Sequence, residues 1–423
     1  METIFYPAQL SGGAAAPASK SEAHRRMICA GLGKGETVLE GFMPSADMTA
    51  TMNCLKALGA SFFHAGESLT VRGAGRTPLG LPLMDCGESG STLRFFVPIA
   101  MAMKGGGVFR MHGRLSQRPM DVYRDLFVPQ GTSWHMAPGA DGAAELHVLG
   151  KLAAGNYVLP GNISSQFVSG LMFALPLLQG QSTLTVTPPV ESAGYINMTL
   201  EALRDSGIVL REKAPFSWEI PGGQTYRPVG GRLSGDYSQA AVLLCMGALG
   251  HDVTVTGLEA DTTQGDRAIL SHLAALGAQV EETDSGIRVN GGWLRGTTLD
   301  VRDCPDVAPI LALVCQLAQG ESRLTGCGRL RLKECDRLAA TVKMLNALGG
   351  CAREEGDDMV INGVKCLRGG VTVDVCNDHR MVMLASAAAL RCQEPVTVTE
   401  AAALSKSWPG YLGVYAQLGG RVE

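Results

Sequence analysis

The chain has 423 residues, of which 46% are hydrophobic and 18% charged, and a formal net charge of −4. It is too long for one ordinary core, so two domains are expected, and its apolar content excludes a disordered protein. Near-balanced charge excludes a global field that recruits nucleic acid. With 54 glycines and only 5% aromatics, many tight strand–helix junctions are expected. The N-terminus lacks a basic stretch followed by an apolar one, so no secretory leader is expected. The apolar runs at 95–103 and 381–390 are too short to span a bilayer. Of the 12 cysteines, the closest two are Cys327 and Cys335, with no metal-binding spacing; buried reduced thiols are expected.

Residues 3–10 read as a strand, followed by a small-residue link, Ser11-Gly12-Gly13-Ala14-Ala15-Ala16. One pattern then recurs six times: an amphipathic helix, a stopping glycine, then short alternating strands. The stops are Gly59, Gly131, Gly207, Gly277, Gly349 and Gly419, spaced by 72, 76, 70, 72 and 70 residues. Each glycine fits the left-handed position that ends a helix without a Cβ clash. Asp284-Ser285-Gly286 reads as a hairpin turn. Six α/β units of this size suit two domains of three units, with a seam in the Gly/Pro-rich stretch 221–231. The last unit lacks a partner strand after Val422, which the N-terminal segment can supply. The expected division is residues 1–16 with 231–423, and 17–230.

The unusual residues lie where strands hand over to helices. Lys20-Ser21-Glu22-Ala23-His24-Arg25 places a hydroxyl, two cations and a helix N-terminus together, which suits a phosphate; an ordinary cap with solvated charges accounts for it equally well. Gly87-Glu88-Ser89-Gly90-Ser91-Thr92-Leu93-Arg94 is a small-residue loop opening a helix, with Arg114 and Arg118 ahead of the next. Ser164-Ser165-Gln166 begins an apolar helix expected to run to residue 178 and reads as a capping box, a theme that Ser192 repeats. Asp303 and Asp306 precede another apolar helix. In Lys333-Glu334-Cys335-Asp336-Arg337, a helix begun by Lys333 puts Lys333 and Arg337 on one face, as an ordinary surface ion-pair helix also would. Asn377-Asp378-His379-Arg380-Met381 precedes a very apolar run, and Ser405-Lys406-Ser407 precedes the sixth helix. If these helix starts face one cleft, they make a strongly positive pocket for small polyanions inside an acidic protein.

In combination these motifs, S-K-S-x-x-x-R at 19–25, G-x-S-G-S-T-x-R at 87–94, Arg118-Pro119, S-S-Q at 164–166, L-K-E-x-D-R at 332–337, N-D-H-R-M at 377–381 and S-K-S-x-P at 405–409, resemble the 5-enolpyruvylshikimate-3-phosphate synthase family from Lys20 to Lys406. The resemblance implies a two-domain inside-out α/β barrel of six βαβαββ units, three per domain, with the active site in the cleft between domains. It implies transfer of the enolpyruvyl group of phosphoenolpyruvate to the 5-hydroxyl of shikimate 3-phosphate, on the route to chorismate and the aromatic amino acids. A cytoplasmic monomer is implied, with no metal, organic cofactor, nucleic acid or membrane partner.

Carried over by position, the resemblance assigns Lys20, Ser21, Arg25, Ser164, Ser165, Gln166, Ser192, Asp306 and Lys333 to shikimate 3-phosphate. It assigns Lys20, Gly90, Arg118, Gln166, Arg337, Arg380 and Lys406 to phosphoenolpyruvate. Asp306 matches the proton acceptor and Glu334 the proton donor, while Tyr195, Arg94, Arg114 and His379 take supporting roles. Lys333 and Arg337 favour the carboxylate of Glu334, so either desolvation offsets them or Lys20 or Lys406 shares the proton traffic. Glu88 and Arg329 depart from the common pattern, which has asparagine at these positions in many or some members. Gly90 implies sensitivity to glyphosate. The related transferase acting on UDP-N-acetylglucosamine fits poorly, since residues 113–120 hold no cysteine and Lys20 is followed by serine. A catalytically dead binder on this fold would not need the acid–base pair.

Overall fold

The computed structural model describes residues 2–74 and 79–423. The chain forms two compact units, Ala18–Leu233 and the discontinuous pair Met1–Pro17 with Ser234–Glu423.

Among the described residues there are six four-stranded sheets, three in each unit. One shows the pattern of all. Asn156–Pro160 runs parallel to Ser182–Thr187, Ser182–Thr187 is antiparallel to Ser217–Ile220, and Ser217–Ile220 pairs antiparallel with Arg211–Ala214. Helices Ser165–Ala174 and Ala193–Asp205 connect the strands, which makes the unit βαβαββ. All six repeat-ending glycines have left-handed φ, between 73° and 103°. The turn at Asp284-Ser285 closes a hairpin in which Thr283 pairs with Gly286.

In the discontinuous unit, helices Tyr237–Ala248, Ala308–Gln316 and His379–Ala389 are buried along their whole length and pack against one another. Helices apolar on every face have to lie inside, with sheets around them, which is the inside-out arrangement. In the continuous unit Gly90–Lys104 and Ser165–Ala174 pack together in the same manner. The backbone groups at the starts of such helices lack partners within the helix, so polar residues collect there.

Two expectations are corrected. Ser11–Ala15 is a strand, not a link: it runs parallel to Asp252–Thr256. Its side chains are too small to signal a strand, and its pairing comes from a partner about 240 residues away. Thr3–Tyr6 is a separate strand between Val396–Val398 and Arg421–Val422, the fourth of the last sheet. The helix after Ser164 stops at Ala174, where Leu175–Leu177 tightens to a 3-10 turn around Pro176.

Candidate active site

In the unit Ala18–Leu233 the helix Lys20–Leu32 is capped by Ser19, whose hydroxyl accepts from the Glu22 amide. That cap leaves Lys20 and Ser21 in the first turn. Lys20 Nζ meets Asp47 Oδ2 at 2.8 Å. Arg25 is buried, donating to Thr199 Oγ1 at 2.8 Å, the Ser21 carbonyl at 2.7 Å and the Tyr195 carbonyl at 2.9 Å. Its guanidinium also lies 5.5 Å from the Phe95 ring centre. Among the described residues no carboxylate pairs with it, and burial pulls its pKa down to about 10. A buried cation satisfied by neutral acceptors suits an incoming anion.

Gln166 links two further groups. Its Oε1 accepts from Arg94 Nη1 at 2.7 Å and its Nε2 donates to Ser91 Oγ at 2.8 Å. Ser91 follows Gly90, and a Cβ on Gly90 would stand 2.6 Å from Arg118 Nη1. Ser164 caps the Gln166 helix, with Ser165 buried as its first residue. Ser192 departs from the capping theme: it sits at φ 56° and its hydroxyl makes no cap bond. Glu88 lies against Gly113, where a Cβ would come 2.5 Å from its Oε2.

In the discontinuous unit the titratable groups form one network. Asp306 Oδ1 accepts from Lys333 Nζ at 2.9 Å and from Arg337 Nη1 at 2.8 Å, and Arg337 Nη2 reaches Glu334 Oε2 at 2.6 Å. Arg337 Nε binds the buried Asp378 at 2.7 Å. Asp378 caps the helix His379–Ala389 by accepting from the Arg380 amide at 2.9 Å. Arg380 donates to the carbonyl and hydroxyl of Ser238, and it lines one recess together with Asp306. Lys406 Nζ donates to the Asn377 carbonyl at 2.6 Å.

The electrostatics follow from this geometry. Burial pushes the Asp306 carboxyl up, but Lys333, Arg337 and Arg380 together outweigh it and hold it well below the usual carboxylate range. Burial pulls Lys333 down, assisted by Arg337 and Arg329, more than Asp306 raises it. Arg337 is held firmly protonated because Asp378, Glu334 and Asp306 outweigh its own burial.

The expected shared helix face of Lys333 and Arg337 is absent. The helix starts at Arg337 behind the cap Asp336, and Lys333 is extended at φ −86°, ψ −161°. Both residues converge on Asp306 nonetheless. Sequence reasoning missed Asp47, Asp378 and Ser238 as partners of Lys20, Arg337 and Arg380. Two of these, Asp47 and Asp378, are acidic residues at helix starts, where local capping already explains them.

A family model described as EPSP synthase (3-phosphoshikimate 1-carboxyvinyltransferase) matches residues 5–414. The chain is 38% identical to the 3-phosphoshikimate 1-carboxyvinyltransferase of Clostridium beijerinckii, over 98% of this chain and 97% of that one. It is also 38% identical to the enzyme of the same name from Clostridium perfringens, over 99% and 98%. In fold it is similar to EPSP synthase from Acinetobacter baumannii, with a TM-score of 0.80 at 24% identity over 100% and 99% of the two chains. It is similar again to the enolpyruvyl transferase NikO from Streptomyces tendae, with a TM-score of 0.77 at 18% identity over 100% and 98%. The chain belongs to the EPSP synthase family.

Proposed function

We propose that this protein is a 3-phosphoshikimate 1-carboxyvinyltransferase, joining phosphoenolpyruvate to the 5-hydroxyl of shikimate 3-phosphate with release of phosphate. The observation that carries the reading is the Asp306–Lys333–Arg337–Glu334 network, an acid–base pair held among cations, in a chain with full-length relatives of that name.

In the proposed reaction Lys20, Ser21, Arg25, Ser164, Ser165, Gln166, Ser192, Asp306 and Lys333 bind shikimate 3-phosphate. Lys20, Gly90, Arg118, Gln166, Arg337, Arg380 and Lys406 bind phosphoenolpyruvate. An alcohol is a poor nucleophile, so Asp306 takes its proton as the oxygen bonds to C2, while Glu334 protonates C3. The tetrahedral product then breaks its C2–O bond to phosphate as C3 returns its proton, leaving the enol ether. Positioned acids and bases supply roughly 10²–10⁴-fold each, and orienting two reactants contributes about 7–11 kcal/mol.

The ligand-free ion pairs impose a condition. While Lys333 and Arg337 both hold Asp306, it is a weak base. Anionic substrate groups that draw these cations away restore its basicity, so the reaction proceeds only with both substrates bound. Glu334 likewise needs its contact with Arg337 loosened before it donates, or a proton routed through Lys20 or Lys406. No described helix is long and apolar enough to cross a membrane. The setting proposed for the reaction is a cytoplasmic monomer acting on small metabolites. Incubation with both substrates, followed by phosphate release and proton NMR of the product, tests the reading. Absence of phosphate release with the pair overturns it.

A further inference from the structure

A buried hydrogen-bonded chain lies behind the residues named above. His24 Nδ1 is 2.7 Å from Thr51 Oγ1, Thr51 Oγ1 is 2.8 Å from Thr92 Oγ1, and Thr92 Oγ1 donates to Ser89 Oγ at 2.8 Å. All four residues are at most 1% exposed. Two of the three linked elements bear a residue assigned above, and the third bears the ion-pair partner of Lys20. His24 lies one turn beyond Lys20, Thr51 shares a helix with Asp47, and Ser89 caps the helix that starts at Gly90 beside Arg118.

Proton counting gives the chain a direction. The Thr92 hydroxyl has one proton and it goes to Ser89, so Thr51 donates to Thr92. The proton of Thr51 is then used, and His24 has to donate through Nδ1. Its Nε2 is left bare, in agreement with the absence of any partner for that atom among the described residues. Burial, with Lys20 and Arg25 nearby, keeps the ring neutral.

We propose that His24, Thr51 and Thr92 are positioning residues that act through Ser89 to hold Gly90 against the Arg118 guanidinium, and so set affinity for phosphoenolpyruvate. This rests on the reaction proposed above. It assigns a role to three residues that do not touch substrate.

The test uses the full chain with both substrates, comparing wild type with Thr92→Val, Thr51→Val and the hydroxyl-retaining Thr51→Ser. Each valine variant is expected to raise KM for phosphoenolpyruvate about tenfold, the effect of roughly one lost hydrogen bond. Their kcat stays within about threefold and KM for shikimate 3-phosphate within about twofold, while Thr51→Ser behaves as wild type. Unchanged phosphoenolpyruvate KM in the valine variants, or all constants moving together, overturns the proposal. Should a valine variant not fold, Ser89→Gly removes the last link with little loss of capping and is judged the same way. Nitrogen-15 NMR of His24 is a second arm that needs no turnover: a protonated Nδ1 and bare Nε2 are expected, and a protonated Nε2 overturns the chain. A wild type that does not turn over the two substrates sinks the reaction instead, and the NMR arm still judges the chain.

Discussion

Arg337 grips Asp378 at two points, Nε to Oδ2 at 2.7 Å and Nη2 to Oδ1 at 3.2 Å, with side chains only 2% and 0% exposed. Removing Asp378 leaves Arg337 with Asp306 and Glu334 but takes away its most buried partner, and it also strips the cap from the Arg380 amide. Asp378→Ala is expected to cost about 2–4 kcal/mol of stability, measured by denaturant unfolding. A loss under about 1 kcal/mol, the range of an exposed pair, contradicts this.

Asp306 gives a pH signature. Its native carboxyl lies well below the unfolded value of about 3.9. Its ionised form therefore favours the folded chain at pH values above that, and the contribution fades as pH falls through the native value. Unfolding of wild type and Asp306→Asn from pH 7 to pH 3 reads it out. The wild-type advantage is expected to be flat above roughly pH 5 and to shrink below roughly pH 4. A gap that widens on acidification refutes the assignment.

At Gly90 an added methyl meets the Arg118 guanidinium, the movable end of a side chain, before anything else. Gly90→Ala is thus expected to leave the melting temperature nearly unchanged, raise KM for phosphoenolpyruvate about tenfold and weaken glyphosate inhibition. Steady-state kinetics with and without glyphosate decide it. An unaltered KM means Arg118 does not serve that substrate.

Glu334→Gln keeps the size of the side chain and removes its acid. A fall in kcat of about 10²–10⁴-fold is expected, with either substrate's dissociation constant changing far less. Retention of wild-type kcat removes Glu334 from the proton path.

Arg25 concerns binding alone. Shikimate 3-phosphate at about 100 times its dissociation constant should stabilise wild type by about 2.7 kcal/mol. Arg25→Met is expected to lose most of that thermal shift. An undiminished shift places the phosphate elsewhere.

How much could be read beforehand depended on how local the cause was. The glycine stops and the cap at Ser164 follow from steric and hydrogen-bonding rules within a few residues, and they stand where the pattern puts them. The strand at Ser11–Ala15 is defined by its partner at Asp252–Thr256, and nothing in its own side chains reports that. Lys333 and Arg337 come together for a different reason from the helical spacing between them. They meet at Asp306, about thirty residues upstream, rather than along one helix. Asp47 stayed hidden because an acidic residue in a first helical turn already has a sufficient local explanation.

The pairing of residues 3–6 with strands at 396–398 and 421–422 has a consequence for synthesis. As the ribosome delivers the polypeptide, every strand of the three sheets in 18–233 is available once that stretch has emerged. Residues 3–6 find their partners only after residues 396–422 have been made. Residues 18–233 are therefore free to fold before residues 3–6 are paired.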